Sequence, residues 1–184
     1  TKFKTMNLEE LLNSGAKILK QNKIETHQLD SELVLSSLLK KKRENLLINS
    51  DEEVSKNIIN NFEKLIFRRA KREPLAYILK KKEFWSKDFF VDRNTLIPRP
   101  ETELLCESVI KIFKNKKLNI LDIGAGTGCI ILSIISEIKG AKGIGIDISK
   151  KAINVAKKNS HLLGLNKRVK FINKSLEDIR GHKF

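Results

Sequence analysis

The stretch Asn119-Ile-Leu-Asp-Ile-Gly-Ala-Gly-Thr-Gly-Cys129 decides the fold of this chain. A short apolar run, Leu118 to Ile123, reads as a buried strand and leads directly into Gly124, Gly126 and Gly128. An apolar run of helical length, Ile130 to Ile138, comes next. Gly143-Ile-Gly-Ile-Asp147 then reads as a second short strand that ends on a carboxylate. Strand, glycine turn, helix, strand and acid, in that order, form one half of a nucleotide-binding α/β sheet.

The residue types fit that use. Glycine lets the backbone turn sharply and lets a ligand approach it closely. The first turn of the following helix offers unpaired N–H groups to an anionic group. Asp147 falls at the carboxyl end of its strand, where open α/β sheets bind ligands, and a carboxylate there can accept both hydroxyl protons of a ribose. The dinucleotide fingerprint Gly-x-Gly-x-x-Gly is not met, because Cys129 stands where its third glycine would fall. The pattern Asp122-x-Gly124-x-Gly126-x-Gly128 instead resembles the first motif of class I S-adenosylmethionine methyltransferases. The plainer alternative is a glycine-rich βα turn with no ligand.

Composition bounds the rest. The 184 residues allow one or two domains, and 40% hydrophobic content supplies a packed core. No basic-apolar-small signal segment opens the chain, and Ile130 to Ile138 is too short to span a bilayer. Cys106 and Cys129 show neither metal-ligand spacing nor a disulfide framework. His27, His161 and His182 form no cluster, so no metal site is expected. These features predict a cytoplasmic protein. The net charge is +15, from 29 Lys and 8 Arg against 22 acids. It is spread along the chain, +6 in residues 1–90 and +9 in residues 91–184. That spread argues against a dedicated nucleic-acid site, and the runs Lys80–Lys82 and Lys114–Lys117 read as solvated turns.

Residues 7 to about 73 read as helical. Asn7 and Glu10 form a capping-box pattern ahead of Leu8, Leu11, Leu12, Ile18 and Leu19. Leu29, Leu33, Leu35 and Leu39 predict a second helix, and Lys40–Arg43 a polar break. Ser50 with Glu53 predicts the start of a long helix that buries Val54, Ile58, Phe62, Leu65 and Ile66 and ends at Pro74. From 76 to 97 aromatic and β-branched residues, Tyr77 and Ile78 among them, predict a β-hairpin linking two domains. The prolines of Leu96-Ile-Pro-Arg-Pro-Glu-Thr102 stiffen the next segment, and a helix is expected from Glu101 to Phe113. Beyond Asp147, Ser149 should cap a helix that stops at Gly164, and Val169 to Asn173 should form a third strand.

Arg72-Glu-Pro-Leu-Ala-Tyr77, Glu83-Phe-Trp-Ser86 and Leu96-Ile-Pro-Arg-Pro-Glu-Thr-Glu103, together with the Asp122–Gly128 loop, resemble the peptide-chain release factor glutamine methyltransferases of the PrmC/HemK type. The resemblance runs the length of the chain. It implies an α/β protein with a helical substrate-recognition domain (1–74) and a β-hairpin linker (75–97). An S-adenosylmethionine-binding domain (98–184) would carry the first part of a Rossmann-like class I methyltransferase sheet. The implied reaction is methylation of the side-chain amide nitrogen of the glutamine in the Gly-Gly-Gln loop of release factors, by a monomeric cytoplasmic enzyme. Gly124, Ala125, Gly126, Thr127 and Gly128 would hold the methionine end of S-adenosyl-L-methionine, Asp147 its ribose and Leu176 the adenine edge. Pro98, Arg99, Pro100, Glu101 and Thr102 would border the substrate or, alternatively, form a rigid clamp between the domains.

Two departures from the family pattern stand out. Ser175 occupies a position where the family often carries an acid. The family's Asn-Pro-Pro-Tyr motif, which orients the target amide, does not occur in these residues, so no catalytic residue is assigned and the chain as it stands is expected to be inactive. The alternatives are a non-catalytic cofactor- or release-factor-binding fragment and an adenine-N6 nucleic-acid methyltransferase. The 97–103 segment and the helical domain argue against the second.

Overall fold

The computed structural model describes residues 6–114 and 116–179. Contacts divide the chain into two compact units, one up to Leu79 and one from Lys80. No helix among the described residues is long and apolar enough to cross a membrane.

The first unit is built on helices. Strand β1 (Met6–Asn7) leads into α1 (Leu8–Gln21), and the Asn7/Glu10 capping box forms: the Glu10 N–H donates to Asn7 Oδ1 at 2.8 Å and the Asn7 N–H to Glu10 Oε2 at 3.3 Å. α1 buries Leu8, Leu11, Gly15 and Leu19 on one face, whereas Ile18 is exposed. α2 (His27–Leu39) follows. α3 (Arg43–Ile48) begins at the last residue of the expected polar break, Lys40–Arg43, and it is anchored by the buried Leu46.

β2 (Glu53–Val54) pairs antiparallel with β1, and α4 (Lys56–Ala70) starts after Ser55. The long helix therefore begins later than the Ser50/Glu53 pattern predicts, because residues 53 and 54 are drawn into strand pairing. Val54 is still buried, and Phe62 and Ile66 form the core face of α4. Tyr77 and Ile78 lie in a short helix, α5 (Leu75–Leu79), not in a hairpin. The Pro74 carbonyl accepts from both of their N–H groups, at 3.0 and 3.2 Å, so the turn set by proline overrides their strand propensity.

Polar groups as well as apolar ones hold α2 in place. Ser31 Oγ donates to Leu12 O at 2.8 Å, Arg69 Nε meets Asp30 Oδ2 at 2.6 Å, and Arg43 Nε meets Glu32 Oε2 at 2.7 Å. Leu29, one of the leucines whose spacing predicts this helix, is 40% exposed, whereas this polar face turns inward.

The second unit opens with a hairpin of β3 (Lys82–Phe84) and β4 (Lys87–Phe89). Trp85 and Ser86 both take φ near +52°, the left-handed pair of a two-residue I′ turn. A single 3₁₀ turn, Pro100–Thr102, precedes α6 (Glu103–Phe113). β5 (Asn119–Ile123), α7 (Cys129–Glu137), β6 (Lys142–Asp147), α8 (Lys150–Leu162) and β7 (Val169–Asn173) then alternate. The three strands form one parallel sheet in the order β5-β6-β7, with Ile123 opposite Ile146 and Asp147 opposite Asn173. β5, expected to be buried, holds no fully buried residue, because among the described strands it lies at the edge and pairs only with β6.

The core of this unit gathers Ile131, Leu132 and Ile135 of α7, Ile153 and Ala156 of α8, and Phe171 of β7. Phe84 and Phe89 of the hairpin and Cys106 of α6 join it. The Phe171 ring lies over Gly145. A Cβ built there would sit 2.4 Å from the ring, so no other residue fits under it.

Candidate functional site

Every predicted cofactor residue except Leu176 meets at the carboxyl ends of β5 and β6. The N–H groups of Gly124 and Ala125 both donate to Ile146 O at 2.9 Å, which fastens the start of the glycine loop to β6. Gly124, Gly126 and Gly128 all take positive φ, +75°, +55° and +77°. A Cβ at Gly124 would meet nothing within 4 Å, and one at Gly126 only a carbonyl at 3.9 Å. These two positions are glycine for conformation and open approach, not for internal packing.

Asp147 closes the loop from the other strand. Its Oδ2 accepts from the Gly126 N–H at 3.0 Å and its Oδ1 from the Ser149 N–H at 2.8 Å. Each carboxylate oxygen keeps acceptor capacity beyond these bonds. Ser149 caps α8 as expected, with Oγ accepting from the Ala152 N–H at 3.2 Å. Leu176 lies past β7 and is exposed. Beside it Ser175 and Asp178 exchange hydrogen bonds of 2.8 and 3.3 Å, so the acid bonded to Ser175 comes three residues after it. In the Pro98–Thr102 segment Pro98 is buried, Arg99, Pro100 and Glu101 are exposed, and the Thr102 N–H closes a turn on Arg99 O at 3.1 Å. The next residue, Glu103, accepts from the Trp85 N–H at 2.8 Å and so ties this turn to the hairpin.

Two further side chains serve the loop. Asp122, the acid of the motif, accepts from the Ile131 N–H in the first turn of α7, while its Oδ2 is buried with no hydrogen-bond partner among the described residues. Burial pushes its carboxyl above the ordinary carboxylate range, and neighbouring Asp147 adds to the rise. Asn159 of α8 is fully buried. Its Nδ2 donates to Phe90 O at 3.0 Å and Thr127 O at 2.9 Å, and its Oδ1 accepts from the Phe90 N–H at 2.7 Å. One carboxamide therefore holds the glycine loop to the segment after the hairpin. The sequence signal for it was an amide on the buried stripe of α8 that also carries Ala152, Ile153 and Ala156.

Cys106 is pushed up to about 12, chiefly by burial, and Cys129 is raised for the same reason. Both remain thiols at neutral pH and supply no nucleophile. No group of three or more His, Cys, Asp or Glu side chains among the described residues is placed to hold a metal ion.

Asp122→Asn should raise the thermal midpoint of the free protein by a few degrees at neutral pH, as followed by circular dichroism. Asparagine keeps an acceptor for the Ile131 N–H and removes a desolvated charge. Because the folded pKa is raised, the wild-type penalty is present above that value. It fades as pH falls toward the ordinary range near 4, so the two proteins should converge in acid. A drop in midpoint at neutral pH would show that the charge is compensated in solution.

A parallel sheet with this loop, and an acid ending the second strand, defines an α/β methyltransferase domain. Residues 114–184 match a family model described as a methyltransferase domain, and residues 10–79 match the PrmC N-terminal domain. The chain is similar to the release factor glutamine methyltransferases. It is 38% identical over 169 residues to the release factor glutamine methyltransferase of Leptospira interrogans, covering 90% of this chain and 59% of that protein. Against the protein of the same name from Clostridium acetobutylicum it is 37% identical over 183 residues, covering 97% and 64%. A bifunctional methyltransferase of Rickettsia conorii is 33% identical over 204 residues, covering 97% of this chain and 39% of its own length. The chain thus spans about half the length of the curated relatives it matches.

Proposed function

We propose that this chain is part of a cytoplasmic enzyme that methylates the side-chain amide of a release-factor glutamine with S-adenosyl-L-methionine. The observation that carries this reading is the glycine loop. Two positive-φ glycines open onto free space beside one carboxylate tethered to the loop and a second carboxylate with a free buried oxygen. The cofactor's groups fit those residues. Asp122 and the loop from Gly124 to Gly128 would hold the charged methionine end, Asp147 would accept from the ribose hydroxyls, and Leu176 would flank the adenine. When bound, the cofactor supplies an electrophilic methyl group on sulfur. The chain's own residues bind and orient it, and Asn159 fixes the carbonyl of Thr127 within the loop. Pro98–Thr102 would border the protein substrate, and the helical unit would recognise it. The names of the relatives support the choice of substrate.

Calorimetric titration tests the reading. S-adenosylmethionine and S-adenosylhomocysteine should bind while NAD gives no heat. Asp147→Ala should weaken binding by about 1.5–3 kcal/mol through lost charge-assisted hydrogen bonds. The same change removes the acceptor of the Gly126 and Ser149 N–H groups, so a melting curve run in parallel separates lost affinity from lost fold. NAD binding as tight as that of the adenosyl compounds would refute the assignment.

A further inference from the structure

Charge that is scattered in sequence is gathered by the fold. The loops entering β5, β6 and β7 come together at the amino ends of the strands: the Lys142 N–H donates to Leu118 O and the Gly143 N–H to Arg168 O, each at 2.9 Å. A groove of about 420 Å³ there is lined by Lys114, Lys116, Lys117 and Lys139, with Glu137 and Gly140. A second, of about 410 Å³, is lined by Lys142, Lys167, Arg168 and Lys170 beside the strand ends. Residues 114–117, 137–143 and 166–170 hold eight basic side chains and one acid, a net of +7 out of +15 for the whole chain. The single acid is already engaged, since Glu137 accepts from Lys87 Nζ at 3.0 Å and its carboxyl is held low by that bond. All seven lysines are exposed. Arg168 is committed to the structure, with Nε on Ala141 O at 3.1 Å, and contributes charge but not reach.

We propose that this pole of the second unit binds the phosphodiester backbone of RNA. It lies at the end of the sheet opposite the glycine loop, about 17 Å away along a five-residue strand. An RNA strand could therefore sit there without entering the cofactor site. The composition of the pole selects the partner. Protein interfaces are enriched in Arg and aromatic residues and depleted in Lys. Seven exposed lysines, with Lys116 Nζ over the Phe113 ring but no aromatic residue lining either groove, suit a sequence-independent backbone contact instead, in which each ammonium replaces a condensed counterion. The choice of RNA as the polyanion rests on the release-factor reading, because release factors work on the ribosome.

The test is fluorescence anisotropy of a labelled single-stranded RNA with the 184-residue chain, titrated at several salt concentrations. Its variants are Lys117→Gln/Lys139→Gln/Lys142→Gln/Lys167→Gln and a control of equal charge change in the helical unit, Lys17→Gln/Lys23→Gln/Lys40→Gln/Lys64→Gln. The pole variant should bind at least ten-fold more weakly at low salt. Its log–log salt slope should be shallower by about 3, roughly 0.7 for each lost contact to a single strand. The control should stay within about two-fold of the parent. Equal losses in both variants would show that only net charge matters and would overturn the proposal, as would absence of binding by the parent at low salt. Competition by polyglutamate as effective as by unlabelled RNA at equal charge would assign the pole to an acidic protein instead. Titration of the same samples with S-adenosylhomocysteine reports separately on the cofactor reading.

Discussion

Arg69→Ala should destabilise the helical unit by about 3–5 kcal/mol, a large share of the roughly 5–15 kcal/mol that holds a typical domain together. Asp30 is 4% exposed, and its Oδ2 lies 2.6 Å from Arg69 Nε. Removing the guanidinium leaves a carboxylate buried among α1, α2 and α4 without its counter-charge. It also removes the Nη1 bond to Glu73 O that closes the end of α4, 3.2 Å in length. The cost comes from the stranded charge more than from the lost attraction, because a buried pair is expensive to desolvate in the first place. The double change Asp30→Leu/Arg69→Met should therefore recover most of the loss. Urea unfolding followed by far-ultraviolet circular dichroism should show the helical transition move to lower denaturant in the single variant and return in the double one. A single variant within 1 kcal/mol of the parent would mean that water reaches Asp30 in solution.

That ion pair also marks the limit of reading this unit from its sequence. Helical periodicity locates α1, α2 and α4, and the Asn7/Glu10 box places the start of α1 to the residue. The inward face of α2 is another matter. The leucine spacing predicts the helix but not that Asp30, Ser31 and Glu32 turn inward, because their partners Arg69, Leu12 and Arg43 arrive from elsewhere in the chain. α3 was hidden for a similar reason. It is one and a half turns long with a single buried residue, Leu46, too little apolar surface to produce a period. The start of α4 was ambiguous because Ser50 and Ser55 are both good cap residues. Pairing of Glu53–Val54 with Met6–Asn7 decides between them, and no local signal reports partners 46 and 48 residues away.

The second unit was more legible, since its information is local. A parallel strand reads as a continuous apolar run, which β5 keeps although none of its residues is fully buried, and glycines at alternate positions restrict what can follow it. Hence β5, the loop, α7, β6, α8 and β7 were all expected within a residue or two of where they lie. Asn159 and the basic pole escaped notice because each depends on chain segments meeting. The amide gains its meaning only from Phe90, 69 residues earlier. The lysines matter only once three loops share one end of a sheet. Asp122 lies between these cases: the motif displays it, but the free oxygen and the bond to α7 become visible only when the helix is in place.

The three glycines of the loop look alike in sequence and should behave differently when changed to alanine. All three hold positive φ, so each alanine carries a backbone penalty of about 1–2 kcal/mol. At Gly128 a Cβ would also stand 2.8 Å from Cζ of Phe171 and 3.1 Å from Cδ1 of Leu132. Phe171 cannot retreat, because its ring already covers Gly145. Overpacking of this kind adds about 1–3 kcal/mol, so Gly128→Ala should cost about 2–5 kcal/mol in total. That is enough to lower the melting midpoint of the second unit by more than ten degrees or to abolish its folding. At Gly126 the added methyl meets only a carbonyl at 3.9 Å. Gly126→Ala should keep most of the stability and, on the proposed reading, lose ligand, since the methyl would occupy the space through which the cofactor is proposed to approach the backbone. Melting curves measure the first effect and calorimetry with S-adenosylhomocysteine the second. Loss of stability in Gly128→Ala with retained stability and lost affinity in Gly126→Ala would separate the packing glycine from the binding one. If Gly126→Ala bound S-adenosylhomocysteine as tightly as the parent, the cofactor could not approach the loop from that side, and the open space beside Gly126 would have another use.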